Sequence, residues 1–167
     1  MKLLIVGGNG TIGKKVSKHF SKKYEVVIGG RKSGDVIVDI ADSKSIREMF
    51  ESVGKIDAVI CIAGEAKWAA FDILTEDDFY IGLKSKLMGQ VNLVRIGQDF
   101  VNPDGSFTLT TGILADHPVE LTTSAAMVNG GIHSFAKAAS LELKNGIRIN
   151  VVSSGLVEDS IDKYEAY

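Results

Sequence analysis

Leu3-Leu4-Ile5-Val6, followed at once by Gly7-Gly8-Asn9-Gly10-Thr11-Ile12-Gly13, is the stretch on which the reading of this chain turns. Four apolar residues without polar alternation suit a strand buried on both faces, and the glycine cluster behind them suits a sharp turn into a helix. Glycine permits positive φ and close approach to the main chain, while the start of a helix presents backbone N–H groups and the positive end of its dipole. Gly8, Gly10 and Gly13 satisfy a G-x-G-x-x-G spacing, and Gly7, Gly10 and Gly13 satisfy G-x-x-G-x-x-G equally well. Because the segment lies between a strand pattern and a helix pattern, all of it, Gly7, Gly8, Asn9, Gly10, Thr11, Ile12 and Gly13, is expected to hold a pyrophosphate.

The 167 residues, 45% of them hydrophobic, are enough for one full core, so residues 1–167 are expected to form a single domain. A formal net charge of -2 provides no basic field for nucleic acid and no polybasic patch for a membrane, and points to a small-molecule partner. No apolar run reaches the length of a membrane span, and the first residues lack the layout of a signal peptide, so a cytoplasmic location is expected. The lone Cys61 excludes an internal disulfide and suits core packing better than nucleophilic work. His19, His117 and His133 are scattered without ligand spacing, and no metal site is expected.

Outward from the glycine turn, Ile12, Val16 and Phe20 recur at helical spacing over Thr11 to Phe20. Glu25 to Ile28 forms a second strand that Gly29-Gly30 ends. Arg31 and Lys32 then stand where a dinucleotide fold holds the adenosine ribose. An NAD site places a carboxylate there, whereas two cations suit a 2′-phosphate, so NADP is favoured over NAD. Val36 to Val38 is a short third strand closed by Asp39-Ile40. Asp39 either accepts from the adenine amino group or terminates the strand. Ser43 to Val53 is a helix with Ser43 as its N-cap, and Ile56 to Ile62 is a fourth strand whose Cys61-Ile62-Ala63-Gly64 end lets a cofactor pass close to the backbone. Thr75 caps a long helical stretch centred on Phe79 to Phe100, which Asn102-Pro103-Asp104-Gly105 breaks. Ser106 to Thr111 is a fifth strand, Thr122 to Lys144 a second long helix, and Ile147 to Val152 a sixth strand. Alternating strands and helices imply a three-layer, doubly wound parallel α/β sheet with ligands beyond the carboxyl ends of its strands.

These segments together resemble the short-chain dehydrogenase/reductase family over nearly the whole chain. Val6 to Gly13 is similar to its T-G-x-x-x-G-I-G turn, with Val6 in place of Thr and Thr11 in place of the middle Gly. Asp39 matches the adenine-contacting Asp, Cys61-Ile62-Ala63-Gly64 the N-N-A-G segment, Gly105 to Thr111 the G-x-I-V-N-I-S strand, and Gly146-Ile147-Arg148-Ile149-Asn150 the G-I-R-V-N segment. Ser154-Gly155 stands where the family has Pro-Gly. The resemblance implies a Rossmann fold and a cofactor site formed by Gly7 to Gly13, Arg31, Lys32, Asp39, Ile40, Ala63 and Gly64. It also implies a homodimer or homotetramer through the two long helices. The family continues further past its Pro-Gly region, so the substrate-covering part, Glu158 to Tyr167, is expected to be short or incomplete.

The family's catalytic pair is a tyrosine and a lysine four residues later on one helical face. Here those positions fall on Ala125 and Asn129, the serine position on Gly112 or Thr111, and the asparagine position on Lys86. Thr110 or Thr111 can hydrogen-bond a carbonyl oxygen, Ser124 adjoins the vacant tyrosine position, and a partly desolvated Lys86 can have a lowered pKa and act as proton donor. Thr111 and Lys86 are therefore the catalytic candidates. Tyr80, near the start of the long helix, is expected to be a packing residue, Tyr164 and Tyr167 lie in the tail, and His117 belongs either to a pocket border or to an ordinary surface loop. The expected function is an NADP(H)-dependent oxidoreductase acting on a small carbonyl or alcohol. The alternative, motivated by Ala125 and Asn129, is a catalytically inactive NADP(H)-binding regulatory or interaction protein.

Overall fold

The computed structural model describes residues 1–155 and Val157. Its elements in chain order are β1 (Lys2–Val6), α1 (Thr11–Phe20), β2 (Glu25–Gly30), β3 (Val36–Ile37), α2 (Ser43–Val53), β4 (Ile56–Cys61), α3 (Glu76–Gly82), α4 (Gly89–Gly97), β5 (Val101–Gly112), α5 (Thr123–Ala139) and β6 (Arg148–Ser154). The six strands form one parallel sheet in the order β3-β2-β1-β4-β5-β6. The direction of winding reverses between β1 and β4, and a crevice at the carboxyl ends is the geometric result. The expected Rossmann architecture is present.

β1 sets the core. Leu3, Leu4, Ile5 and Val6 are all buried, as an unalternated apolar strand in the middle of a parallel sheet requires. Leu4 and Val6 pack with Ile46, Met49 and Phe50 of α2, Leu93 and Ile96 of α4, and Ile132 and Ala136 of α5. Leu3 and Ile5 point to the other face by strand alternation, where α1 lies against β1 and β2. At the opposite end of the sheet, Asp57 accepts from the Lys2 amide at 2.7 Å and from Asn102 Nδ2 at 2.8 Å, tying the starts of β1, β4 and β5 together.

Several boundaries differ from the sequence reading. The cap of α2 is Asp42, whose carboxylate accepts from the Lys44 amide at 2.9 Å, and not Ser43. Gly29 and Gly30 do not end β2 but continue it and pair with β3. The stretch Asn102 to Gly105 is not a break before β5. Val101 already pairs with Ile56, and the register shift before Ser106 pairs with Ala58 makes this stretch an irregularity inside the strand. Phe79 to Phe100 is not one regular helix. The helical run starts at Glu76, where Thr75 and Asp78 form a reciprocal capping box, opens into a π-helical segment at Leu83–Met88, and ends at Gly97. α5 stops at Ala139, short of Lys144, and Asn145 and Gly146 turn with φ of 57° and 70°. Glu158 to Tyr167, including Tyr164 and Tyr167, lie outside the described residues.

Candidate active site

Two adjoining cavities open along the carboxyl ends of the strands. The smaller, of about 230 Å³, is bordered by Gly7, Arg31, Asp39, Ile40 and Ser85. The larger, of about 920 Å³, is bordered by the start of α1, by Trp68 and Lys86, and by residues of β5 and α5. Ala63, Gly64 and Glu65 border both, which makes the two cavities lobes of one cleft.

The glycine turn joins the lobes. Gly7 has φ of 85°, and a Cβ there would stand 2.6 Å from the carbonyl oxygen of Ile62. A Cβ on Gly13 would overlap the carbonyl oxygen of Gly7, so the helix can approach the turn this closely only without a side chain. Gly10, the N-cap of α1, supplies no side-chain oxygen to its first turn. The amides of Ile12 and Gly13 in that turn have no intrahelical acceptor and border the larger lobe, with Gly10 and Thr11. A glycine cradle at an uncapped helix start fits a pyrophosphate. Gly8 faces inward against Ile28 and Ser17, and the exposed Asn9 donates to Ser33 Oγ at 3.0 Å, so neither borders the cleft.

At the adenosine end, Arg31 borders the smaller lobe and pairs with Glu65 at 3.5 Å, both side chains being largely exposed. Lys32 is exposed and lies outside both linings. Asp39 ends its strand, one of the two roles that its sequence position left open. Its Oδ1 accepts from the Ala41 amide at 2.9 Å while the residue borders the lobe with Ile40.

β4 delivers the floor of the cleft. Gly64 has φ of 118°, and a Cβ there would stand 2.8 Å from Lys86 Cα. Ser85 Oγ donates to the Glu65 carbonyl and accepts from the Glu65 amide, each at 3.1 Å, clamping this loop to the π-helical segment. Lys86 is thereby held in the larger lobe, half-buried. Desolvation lowers its pKa from the usual lysine value, with an opposing effect from Cys61. Cys61 itself is fully buried, and burial pushes its thiol up to about 11, so it is a core residue and no nucleophile.

β5 and α5 form the remaining wall. Thr110 lines the lobe, but its hydroxyl donates to the Cys61 carbonyl at 2.9 Å, and the buried Gln90 amide brackets its backbone. Thr111 is buried at the lobe, with Oγ1 2.8 Å from His133 Nε2. Ala125 and Asn129 border the same lobe, and the buried Oδ1 of Asn129 has no hydrogen-bond partner. That orphaned acceptor fits a hydroxyl-bearing group such as a cofactor ribose. Ser124 Oγ is equally unpartnered, but Ser124 lies outside the lining. Tyr80 is not an interior residue. It is exposed, donates to Glu76 Oε1 at 2.6 Å, and that bond raises its pKa. His117 is both exposed and at the lobe's border.

The sequence reading did not single out Glu65, Ser85 or the His133 partnership. A signal for the last exists, because Ala125, Asn129 and His133 follow one another at i+4 spacing and share a helical face. Among the described residues no cluster of His, Cys, Asp and Glu could hold a metal ion, and no helix is long and apolar enough to cross a membrane.

A family model described as enoyl-(acyl carrier protein) reductase matches residues 12–165. No curated protein gives a sequence match to the chain. Among solved structures, the protein lin1944 from Listeria innocua is 47% identical, with a TM-score of 0.97 over 100% of this chain and 84% of that one. A small-chain dehydrogenase solved in complex with NADPH is 28% identical, with a TM-score of 0.89 over 99% of this chain and 78% of that one. A Serratia marcescens short-chain dehydrogenase/reductase variant, 19% identical with a TM-score of 0.84 over 99% of this chain and 87% of that one, shares the fold. The glycine turn, the sheet order and these matches agree: the chain belongs to the short-chain dehydrogenase/reductase family.

Proposed function

We propose that the protein binds NADP(H) along the two-lobed cleft and works as an oxidoreductase on a small carbonyl or alcohol. The observation that carries the cofactor choice is Arg31 at the smaller lobe, at the end of β2, where an NAD site would carry a carboxylate. The relative solved with NADPH supports it. In this reading the amides of Ile12 and Gly13 receive the pyrophosphate, Arg31 the 2′-phosphate, Asp39 and Ile40 the adenine, and Asn129 a ribose hydroxyl. Ala63 and Gly64 wall the passage between the lobes. The bound dinucleotide supplies or accepts hydride at its nicotinamide. Thr111 and Lys86 stand at the reacting end, and the lowered pKa of Lys86 suits it to give up a proton.

Glu65 holds Arg31 in the free protein, so the phosphate must displace an exposed ion pair, which costs little. Arg31→Ser removes a charge-assisted bond. NADPH affinity is expected to fall about 10- to 100-fold while NADH affinity changes about twofold or less, as read by calorimetric titration. Equal losses for both dinucleotides would refute the assignment of Arg31. Tight NADPH binding without turnover on a broad carbonyl panel would favour the competing reading, a non-catalytic binder, for which Ala125 and Asn129 speak.

We further propose that copies of the chain associate through the α3–α4 and α5 region. Ile81, Met88 and Met127 are large apolar side chains exposed there, and their burial would favour a dimer. Sedimentation at micromolar concentration is expected to give at least twice the chain mass, and a monomer would contradict the proposal.

A further inference from the structure

The cleft lacks a tyrosine and a lysine on α5, yet one helical turn beyond Asn129 the same face carries His133. Its Nε2 stands 2.8 Å from Thr111 Oγ1, and its Nδ1 stands 3.9 Å from Asp116 Oδ2. Thr111 borders the larger lobe, His133 does not, and Asp116 is on the protein surface. The three residues therefore form a line from the cleft, through β5 and α5, to solvent. A buried threonine hydroxyl needs only one partner, and a backbone carbonyl would serve. An imidazole with a carboxylate on its far side is the arrangement that stores and hands over a proton.

We propose that Thr111, His133 and Asp116 form the proton relay of this protein, with Thr111 as the group that touches the substrate oxygen and His133 as the residue that acts through it. The proposal rests on the oxidoreductase reading given above. When hydride from the reduced dinucleotide reaches a carbonyl carbon, the C–O π pair moves to oxygen, which needs a proton. Thr111 Oγ1 gives its proton to that oxygen while taking one from Nε2 of the His133 imidazolium. The ring is left neutral with its proton on Nδ1, the nitrogen facing the Asp116 carboxylate. It regains a proton from solvent before the next turnover, since its side chain is 21% exposed. Alcohol oxidation runs the same transfers backwards.

The charged and titratable groups around the ring come from each packed element. They are Asp116 and His117 in the loop after β5, Lys86 across the cleft from Thr111, and Lys137 one turn along α5. Among the described residues, only Asp116 is within ion-pair distance of the imidazole.

The test uses the intact protein, NADPH and a panel of activated aromatic aldehydes and quinones as carbonyl probes. The reduction rate of the wild type is expected to fall along one limb as pH rises. His133→Gln is expected to lose that limb of the profile and about 10- to 100-fold in kcat, with KM and NADPH affinity changed less than about threefold. Thr111→Val is expected to behave alike, and Thr111→Ser to retain activity within about threefold. Nitrogen-15 NMR of the ring gives a readout independent of turnover. The Nε2 resonance is expected to carry the mark of the Thr111 hydrogen bond, with NADP⁺ bound as without it, and Thr111→Val is expected to remove that mark. A His133→Gln profile that keeps the limb, or a ring resonance that Thr111→Val leaves unmoved, overturns the relay and leaves the oxidoreductase reading standing. NADPH binding without any probe turnover by the wild type overturns that reading and the relay with it.

Discussion

Gly13→Ala is expected to lower stability by about 2–3 kcal/mol and to weaken NADPH binding at least tenfold. The added Cβ would overlap the Gly7 carbonyl oxygen and stand 2.8 Å from Gly8 Cα and from its carbonyl carbon. All three are backbone atoms, so no side chain can swing aside. The turn itself is pinned, because the Gly7 amide donates to the Gly29 carbonyl at 2.8 Å and the Gly10 amide to the Gly7 carbonyl at 3.0 Å. Relief must therefore come from lifting α1 away from β1, which moves the amides of Ile12 and Gly13. Urea denaturation reads the first effect and calorimetry the second. Gly10→Ala is the control, since a Cβ there meets only the Gly7 carbonyl oxygen at 3.3 Å and φ is already -74°. Equal behaviour of the two variants would refute this account of the turn.

Phe50→Ala is expected to cost about 3–5 kcal/mol, seen as a lower denaturation midpoint, with NADPH affinity of the folded fraction unchanged. Phe50 is fully buried on α2 and stacks on Phe100 with ring centroids 5.3 Å apart. Its ring lies where a Cβ on Gly97 would be 2.5 Å from Cζ, so α4 carries a glycine there to admit it. Truncation opens a cavity between α2 and α4 that flexible neighbours cannot fill, since Met49, Leu93 and Phe107 are themselves fully packed. The cleft lies at the carboxyl ends of the strands, and neither Phe50, Phe100 nor Gly97 lines it. A loss below about 1 kcal/mol would show that the core collapses to fill the space.

Much of the architecture was legible because its signals are local. Leu3 to Val6 is apolar without alternation because β1 is covered on both sides. Thr75 caps a helix because the acid that completes its capping box, Asp78, follows three residues later. The glycines of the turn were legible for a similar reason, as their spacing is a steric requirement written in consecutive residues. The cleft's remaining wall was harder to read. Glu65 matters through Arg31, 34 residues earlier, and His133 through Thr111, 22 residues earlier, and neither pairing leaves a periodic trace. Counting along α5 gave Ala125 and Asn129 as the expected tyrosine and lysine positions. The contact between Thr111 and His133, one turn further on, becomes visible only when β5 is set beside the helix. The irregular start of β5 was misread because Pro103 and Gly105 are ordinary turn residues. Gly105 is instead a buried strand position where a Cβ would overlap Val101.

The π-helical segment at Leu83–Met88 offsets the phase of the helical run by adding one residue to a turn. On its near side, Gly82 abuts Ala66 and Val128, and on its far side Gln90 reaches the backbone of Thr110. A regular α-helix advances about 100° per residue, so straightening the run would swing one of these two sets of contacts round to solvent. The segment thus works as a coupling between two gears cut to different pitch, and Lys86 rides on the coupling.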